Sequence, residues 1–253
     1  MTGSRAIAFC CLSFLILPLA SRSQARSSDT DVSTNRTFSP TVSVRDLAIP
    51  DKAKRAFRKG AERLAKKDWA GSIEEFQKAI AAFSDLYEAY YKIGIAQLQL
   101  KQTDEAATSL RKAIELSEGR YAPPLFALGL VLSNMGQHAD AEAAVRAGLM
   151  LEPMDAAGQF TMAWVQYSAQ KVGDAEKSAL EAVRRNPNFA MAHLLLAQIH
   201  RRQNNLPALV EDLNAFLRLD PDGPRSSGAR AALAAAERSL GRSESASLSD
   251  GAS

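Results

Sequence analysis

Cysteine is almost missing from this chain: the only two, Cys10 and Cys11, are adjacent and lie in an apolar run near the N-terminus. Loss of that run would leave no thiol, which excludes disulfide scaffolding and thiol catalysis together. Aromatics are sparse at 7%, and the runs of Val, Ile, Thr and Tyr that build strands are nearly absent. There are only three histidines, and no HExxH, Gly-rich phosphate loop or nucleophile-elbow serine. These absences argue against an enzyme.

What is present is Ala and Leu in a composition 46% hydrophobic and 23% charged, the range of soluble globular proteins. Ala and straight-chain residues lose little entropy in a helix, so an all-α fold is expected. The formal charge is +3. Without Arg5 and Arg22, which lie in the N-terminal segment, 29 basic residues face 28 acidic ones, or +1. That balance predicts no strong pull on nucleic acid or anionic lipid.

Residues 6–20, AIAFCCLSFLILPLA, are uncharged behind Arg5, and Ser23 and Ala25 offer small residues for cleavage, so 1–25 reads as a secretory signal peptide. The alternative is a retained anchor, but the run is shorter than the about 20 residues that span a bilayer and contains Pro18. Residues 26–50 read as a flexible leader, with a glycosylation sequon at Asn35. Pro50-Asp51 then opens a helix, with Asp51 the expected N-cap.

Within 87–118 two amphipathic patterns are separated only by Lys101-Gln102-Thr103, which predicts an antiparallel helical hairpin. Such a hairpin cannot bury its own apolar faces, and similar units flank it. Gly60, Gly94, Gly129, Ala163 and Ala197 recur at intervals of 34 or 35 residues. Ser72, Ala106, Ala141, Ala175 and Leu209 follow the same offsets, as do Ala79, Ala113, Gly148, Ala182 and Phe216. Small residues there let two helices cross closely. Phe76, Leu110, Val145, Ala179 and Leu213 form an apolar series, and Ile80, Ile114, Leu149, Val183 and Leu217 another, spaced to fall on one buried stripe. Pro153, Pro187 and Pro221 end the second helices of three units.

This pattern resembles the tetratricopeptide repeat, a helix-turn-helix unit of about 34 residues. Five copies fit, at 53–86, 87–121, 122–155, 156–189 and 190–223. The resemblance implies a right-handed α-solenoid, with a repeat domain over 51–240 ending in a capping helix. Residues 226–240 are helical by composition, and 241–253, with Leu248 the only sizeable apolar residue, are expected to be a disordered tail. Ser84 and Glu118 depart from the family proline, Gln159 and His193 from its tryptophan, and Phe216 from a small residue.

The resemblance also implies a concave groove lined by the first helix of each repeat. Carried over position by position, its peptide-binding residues are Tyr91, Ile95 and Leu98 in the second repeat, Phe126 and Leu130 in the third, Phe160, Trp164 and Tyr167 in the fourth, and Leu194 and Arg201 in the fifth. Lys92, Gln198 and Arg202 lie beside them. The alternative for Phe160, Trp164 and Tyr167 is packing between helices or cover by the leader. Phe57 and Ala61 stand where a carboxylate clamp of the family would show Lys and Asn, which argues against chaperone tails as ligand.

The expected function is therefore an exported, non-catalytic scaffold, periplasmic or extracellular, that binds a protein or peptide. No cofactor, metal, nucleic acid or small-molecule substrate is expected. The alternative is a membrane-anchored subunit that organises an envelope complex. An enzyme would require His193, His200 and a neighbouring carboxylate to converge, because two turns of helix separate the histidines by about 10 Å.

Overall fold

The computed structural model of the chain describes residues 48–250, with side-chain surroundings as far as Gly241. The expected signal peptide (1–25), the sequon at Asn35, the leader as far as residue 47 and residues 251–253 lie outside the described residues. Everything regular within them is helical: α1 (Asp51–Ala65), α2 (Trp69–Ala82), α3 (Tyr87–Gln99), α4 (Thr103–Leu116), α5 (Ala122–Asn134), α6 (His138–Leu151), α7 (Ala156–Ser168), α8 (Val172–Arg185), α9 (Ala190–Arg202), α10 (Leu206–Leu219) and α11 (Ser226–Asp250). The chain forms two compact units, one ending at Gly119 and containing α1–α4, the other beginning at Arg120 and containing α5–α11. This is an all-α helical repeat fold.

Each hairpin turns in the same way. Lys67, Lys101, Gly136, Gln170 and Asn204 occupy one repeat position, and all have φ between 58° and 79°. The following N–H reaches back to a carbonyl five residues earlier, as in Asp68 to Arg63, Gln102 to Gln97 and Lys171 to Gln166. These are the bonds of a Schellman motif, which satisfy helix-end carbonyls in exchange for one left-handed residue. Only Gly136 adopts that conformation without steric cost.

The small residues are where helices touch. A Cβ built on Gly60 would lie 2.7 Å from the Phe76 ring, one on Gly94 2.8 Å from Leu110, and one on Gly129 2.3 Å from Val145 Cγ2. Across all five repeats the series headed by Phe76 is buried. In the first unit Phe76 and Ala79 of α2 join Leu86, Ala89 and Ile93 at the start of the next hairpin in one cluster. Thus, within each unit, the second helix of one repeat receives the first helix of the next.

Three sequence expectations change. Pro50 is the N-cap of α1, and Asp51 is its first helical residue, where its charge complements the helix dipole without a capping hydrogen bond. The series Ile80, Ile114, Leu149, Val183 and Leu217 is half-buried rather than core, because it flanks the central stripe. The last helix continues to Asp250, beyond the expected end at 240 and through most of the expected disordered tail. No proline follows Pro224, and Arg242, Glu244, Ala246 and Leu248 are compatible with a helix. Phe216, placed in the least regular repeat, is fully buried.

Candidate functional site

Seven of the ten residues expected to line a groove are buried: Tyr91, Ile95, Leu98, Phe126, Leu130, Trp164 and Leu194 are each no more than 8% exposed. The expectation of an open apolar lining is corrected accordingly, since burying large apolar side chains stabilises each by about 1.5–3 kcal/mol. Phe126 shows how. Cβ atoms built on Gly148 of α6 and Gly158 of α7 would meet its ring at 2.5 and 2.6 Å, so two glycines form the slot that holds it.

In the first unit the lining is closed in a similar way. Lys92 Nζ lies 5.1 Å from the centre of the Tyr91 ring, and burial pushes its pKa below the ordinary lysine value. Phe57, at the position that lacks the clamp lysine, packs against Phe76 with ring centres 5.3 Å apart.

Phe160, Tyr167 and Arg201 remain accessible, and all three belong to the second unit. Phe160 and Tyr167 of α7 are half-buried, while Arg201 and Arg202 of α9 are exposed. The Phe160 ring tilts against Phe189 at 5.0 Å, and the Tyr167 ring lies 6.3 Å from buried Trp164. The Arg202 guanidinium sits 5.6 Å over the Tyr167 ring and donates to Gln170 Oε1. Two adjacent first helices therefore present an aromatic and cationic strip, with buried Trp164 fixing Tyr167 from behind.

The histidines do converge, through a residue the sequence reading overlooked. Asp212 of α10 places Oδ2 2.7 Å from His200 Nδ1 and Oδ1 3.6 Å from His193 Nδ1. The second distance is too long for a hydrogen bond but close enough for charge attraction. Glu176 Oε1 of α8 stands 3.2 Å from His200 Nε2. The Asp212 carboxylate raises the His193 pKa, with burial opposing and the Pro187 carbonyl assisting.

The repeat itself explains this pair. Positions equivalent to His200 and Asp212 hold Gln166 and Ser178, where the hydroxyl donates at 2.7 Å, and Gln97 and Ser109, again at 2.7 Å. In the first repeat they hold Arg63 and Glu75, 3.9 Å apart. Only the third repeat places apolar Leu132 and Ala144 there. The His200–Asp212 contact is thus one version of a polar tie between the helices of a hairpin. An acidic residue at a position that is otherwise small in repeats two to four was the available signal. Among the described residues, no group of three His, Cys, Asp or Glu side chains is arranged to hold a metal. No described helix is long and apolar enough to cross a membrane.

Family models described as tetratricopeptide repeat match residues 87–120 and 160–224. Among curated proteins, none matches the sequence. Solved structures share the fold. A thermophilic TPR protein of Thermus thermophilus, TTC0263, is 16% identical over 73% of this chain and 98% of its own, with a TM-score of 0.63. MamA from Desulfovibrio magneticus RS-1 is 18% identical over 70% of this chain and 99% of its own, with a TM-score of 0.58. YrrB, described as a TPR protein with an unusual peptide-binding site, is 17% identical over 74% of this chain and 98% of its own, at 0.51. These identities speak for the fold alone.

Proposed function

Since the chain is a tetratricopeptide repeat protein, we propose that it is a non-catalytic scaffold that binds a protein or peptide segment along the strip formed by Phe160, Tyr167, Arg201 and Arg202. The observation that carries this reading is the co-location of half-exposed aromatics and exposed arginines on α7 and α9. Tyrosine buries much area for few frozen rotors, and tyrosine and arginine are both enriched among the residues that dominate binding energies at interfaces. The peptide-binding site named for YrrB supports the same reading. The histidine cluster supports it too, because a recurring hairpin tie accounts for its geometry without catalysis.

Replacing Tyr167 and Arg202 together with alanine is expected to weaken recovery of the native partner from host extract at least about tenfold, equivalent to about 1.4 kcal/mol. Both side chains are accessible, so helicity should be unchanged. Recovery equal to that of the unaltered chain sinks the assignment.

The proposal includes export to the periplasm or the extracellular space, motivated by the apolar run at 6–20 and the small residues at Ser23 and Ala25. N-terminal sequencing of the native protein should begin near Arg26. A chain retaining residues 1–25 overturns cleavage and favours the membrane-anchored alternative.

A further inference from the structure

The first repeat differs from the others on one face. Lys52, Arg55 and Lys59 fall at i, i+3 and i+7 of α1 and are all exposed. The equivalent residues in the second repeat are Leu86, Ala89 and Ile93, which pack on Phe76 and Ala79 of α2. In the fourth repeat the equivalent of Arg55 is Gly158, where an added Cβ would lie 2.9 Å from Leu149 of α6. This is the face on which a repeat receives a helix, and in the first repeat it is charged.

The charge is one-sided. Residues 51–68 contain eight basic and three acidic side chains, which leaves 23 basic and 25 acidic residues in the rest of the chain. The excess positive charge of the whole molecule is therefore concentrated in α1 and the turn after it, a distribution hidden by a total of +3. The face also carries a shallow depression, open to solvent, of about 490 Å³ lined by Lys52, Arg55, Ala56, Lys59, Glu75 and Lys78. Lys78 donates to Glu75 Oε1 at 2.7 Å and holds that carboxyl below its ordinary range, with Arg63 3.9 Å away. Glu75 is thereby engaged, with Lys59 adding a weaker attraction, whereas Lys52, Arg55 and Lys59 form no ion pair within 4.0 Å among the described residues.

We propose that this face is a second docking surface, separate from the α7–α9 strip, and that it takes an acidic amphipathic helix from a partner protein. The shape argument is that the same face holds a helix in other repeats. The charge argument is that carboxylates at i, i+3 or i+4, and i+7 of such a helix match cations spread over about 10 Å of α1. A carboxylate on the pocket floor, Glu75, disfavours a phosphate chain relative to a helix that can turn an apolar or donor group toward it. Ala56 leaves room for such a group.

The full-length chain is titrated by fluorescence anisotropy into a labelled Ala/Leu/Glu helical peptide of about 20 residues with its glutamates on one face. The comparison probes are a peptide of the same composition with glutamates all around the helix, a single-stranded oligonucleotide and phosphatidylserine vesicles. The one-faced peptide is expected to bind at least about fivefold tighter than its scrambled counterpart, and less tightly as salt rises. Charge reversal at Lys52, Arg55 and Lys59 should weaken it at least about tenfold. The same reversal at Lys54, Arg58 and Lys66, also exposed on or just after α1 but outside the pocket, should weaken it less than about threefold. If charge reversal lowers the melting temperature, Lys52→Gln, Arg55→Gln and Lys59→Gln replace it in the comparison. Equal binding of both peptides, equal loss in both triple variants, or tighter binding of the oligonucleotide or vesicles overturns the proposal. Each of these outcomes is independent of Tyr167 and Arg202.

Discussion

Replacing Gly129 with valine should destabilise the second unit by about 3 kcal/mol. A Cβ there would lie 2.3 Å from Val145 Cγ2 and 3.1 Å from the Ala141 carbonyl oxygen, so α5 and α6 would have to separate or Val145 leave its well. The interior is packed densely enough that neither movement is cheap. Gly129→Ala is milder, because a helix-propensity gain of about 1 kcal/mol offsets part of the overpacking. The chain contains its own remedy: the equivalent pair in the fourth repeat is Ala163 and Ala179, both fully buried. Gly129→Ala combined with Val145→Ala should therefore be more stable than the sum of the single effects by more than about 1 kcal/mol. Urea unfolding of the four proteins measures the coupling, and additivity would show that the two side chains do not compete for the same space.

Asp212→Ala should cost about 2–4 kcal/mol, because it leaves the buried His200 Nδ1 without its acceptor and His193 without its counter-charge. The effect should depend on pH. The His193 pKa is raised above 6.5 chiefly by Asp212, with burial and, more weakly, Arg218 opposing. A raised folded-state value means stability that is fully present below about pH 6.5 and lost as pH rises through the folded pKa. Glu176 behaves oppositely. Its pKa is lowered, first by the Gln203 amide and then by His200, so its contribution is present at neutral pH and lost only as the solution becomes acidic. Between about pH 6 and 8 the His193 contribution governs. The wild-type melting temperature should fall across that interval more steeply than that of Asp212→Ala, and Asp212→Asn should flatten the slope with a smaller loss of stability. Parallel pH profiles for all three proteins would remove Asp212 from the account.

The hairpins were legible because each solves the same short-range problem. The small residue in the first helix, its partner about 16 residues later and the turn between them all lie within one repeat, as Gly94 with Leu110 and Gly129 with Val145 show. Helix ends were legible to within a residue or two where Pro153, Pro187 and Pro221 follow them. The αL residue at Lys67, Lys101, Gln170 and Asn204 was not, because side chains that only tolerate the conformation carry no signature of it.

The exposure of the ten residues assigned to the groove was not legible in the sequence. Equivalence between repeats identified the ten residues, yet only Phe160, Tyr167 and Arg201 remain accessible. Sequence alone established an all-α array of five hairpins, since helical period and proline stops follow from backbone geometry and small-residue spacing from contacts within one hairpin. Tertiary structure decided which aromatics became packing, that Asp212 lies beside two histidines separated by two turns, and that α1 turns a basic face outward where later repeats bury an apolar one. Those outcomes depend on which segment covers a side chain, and that cover comes from residues distant in the chain.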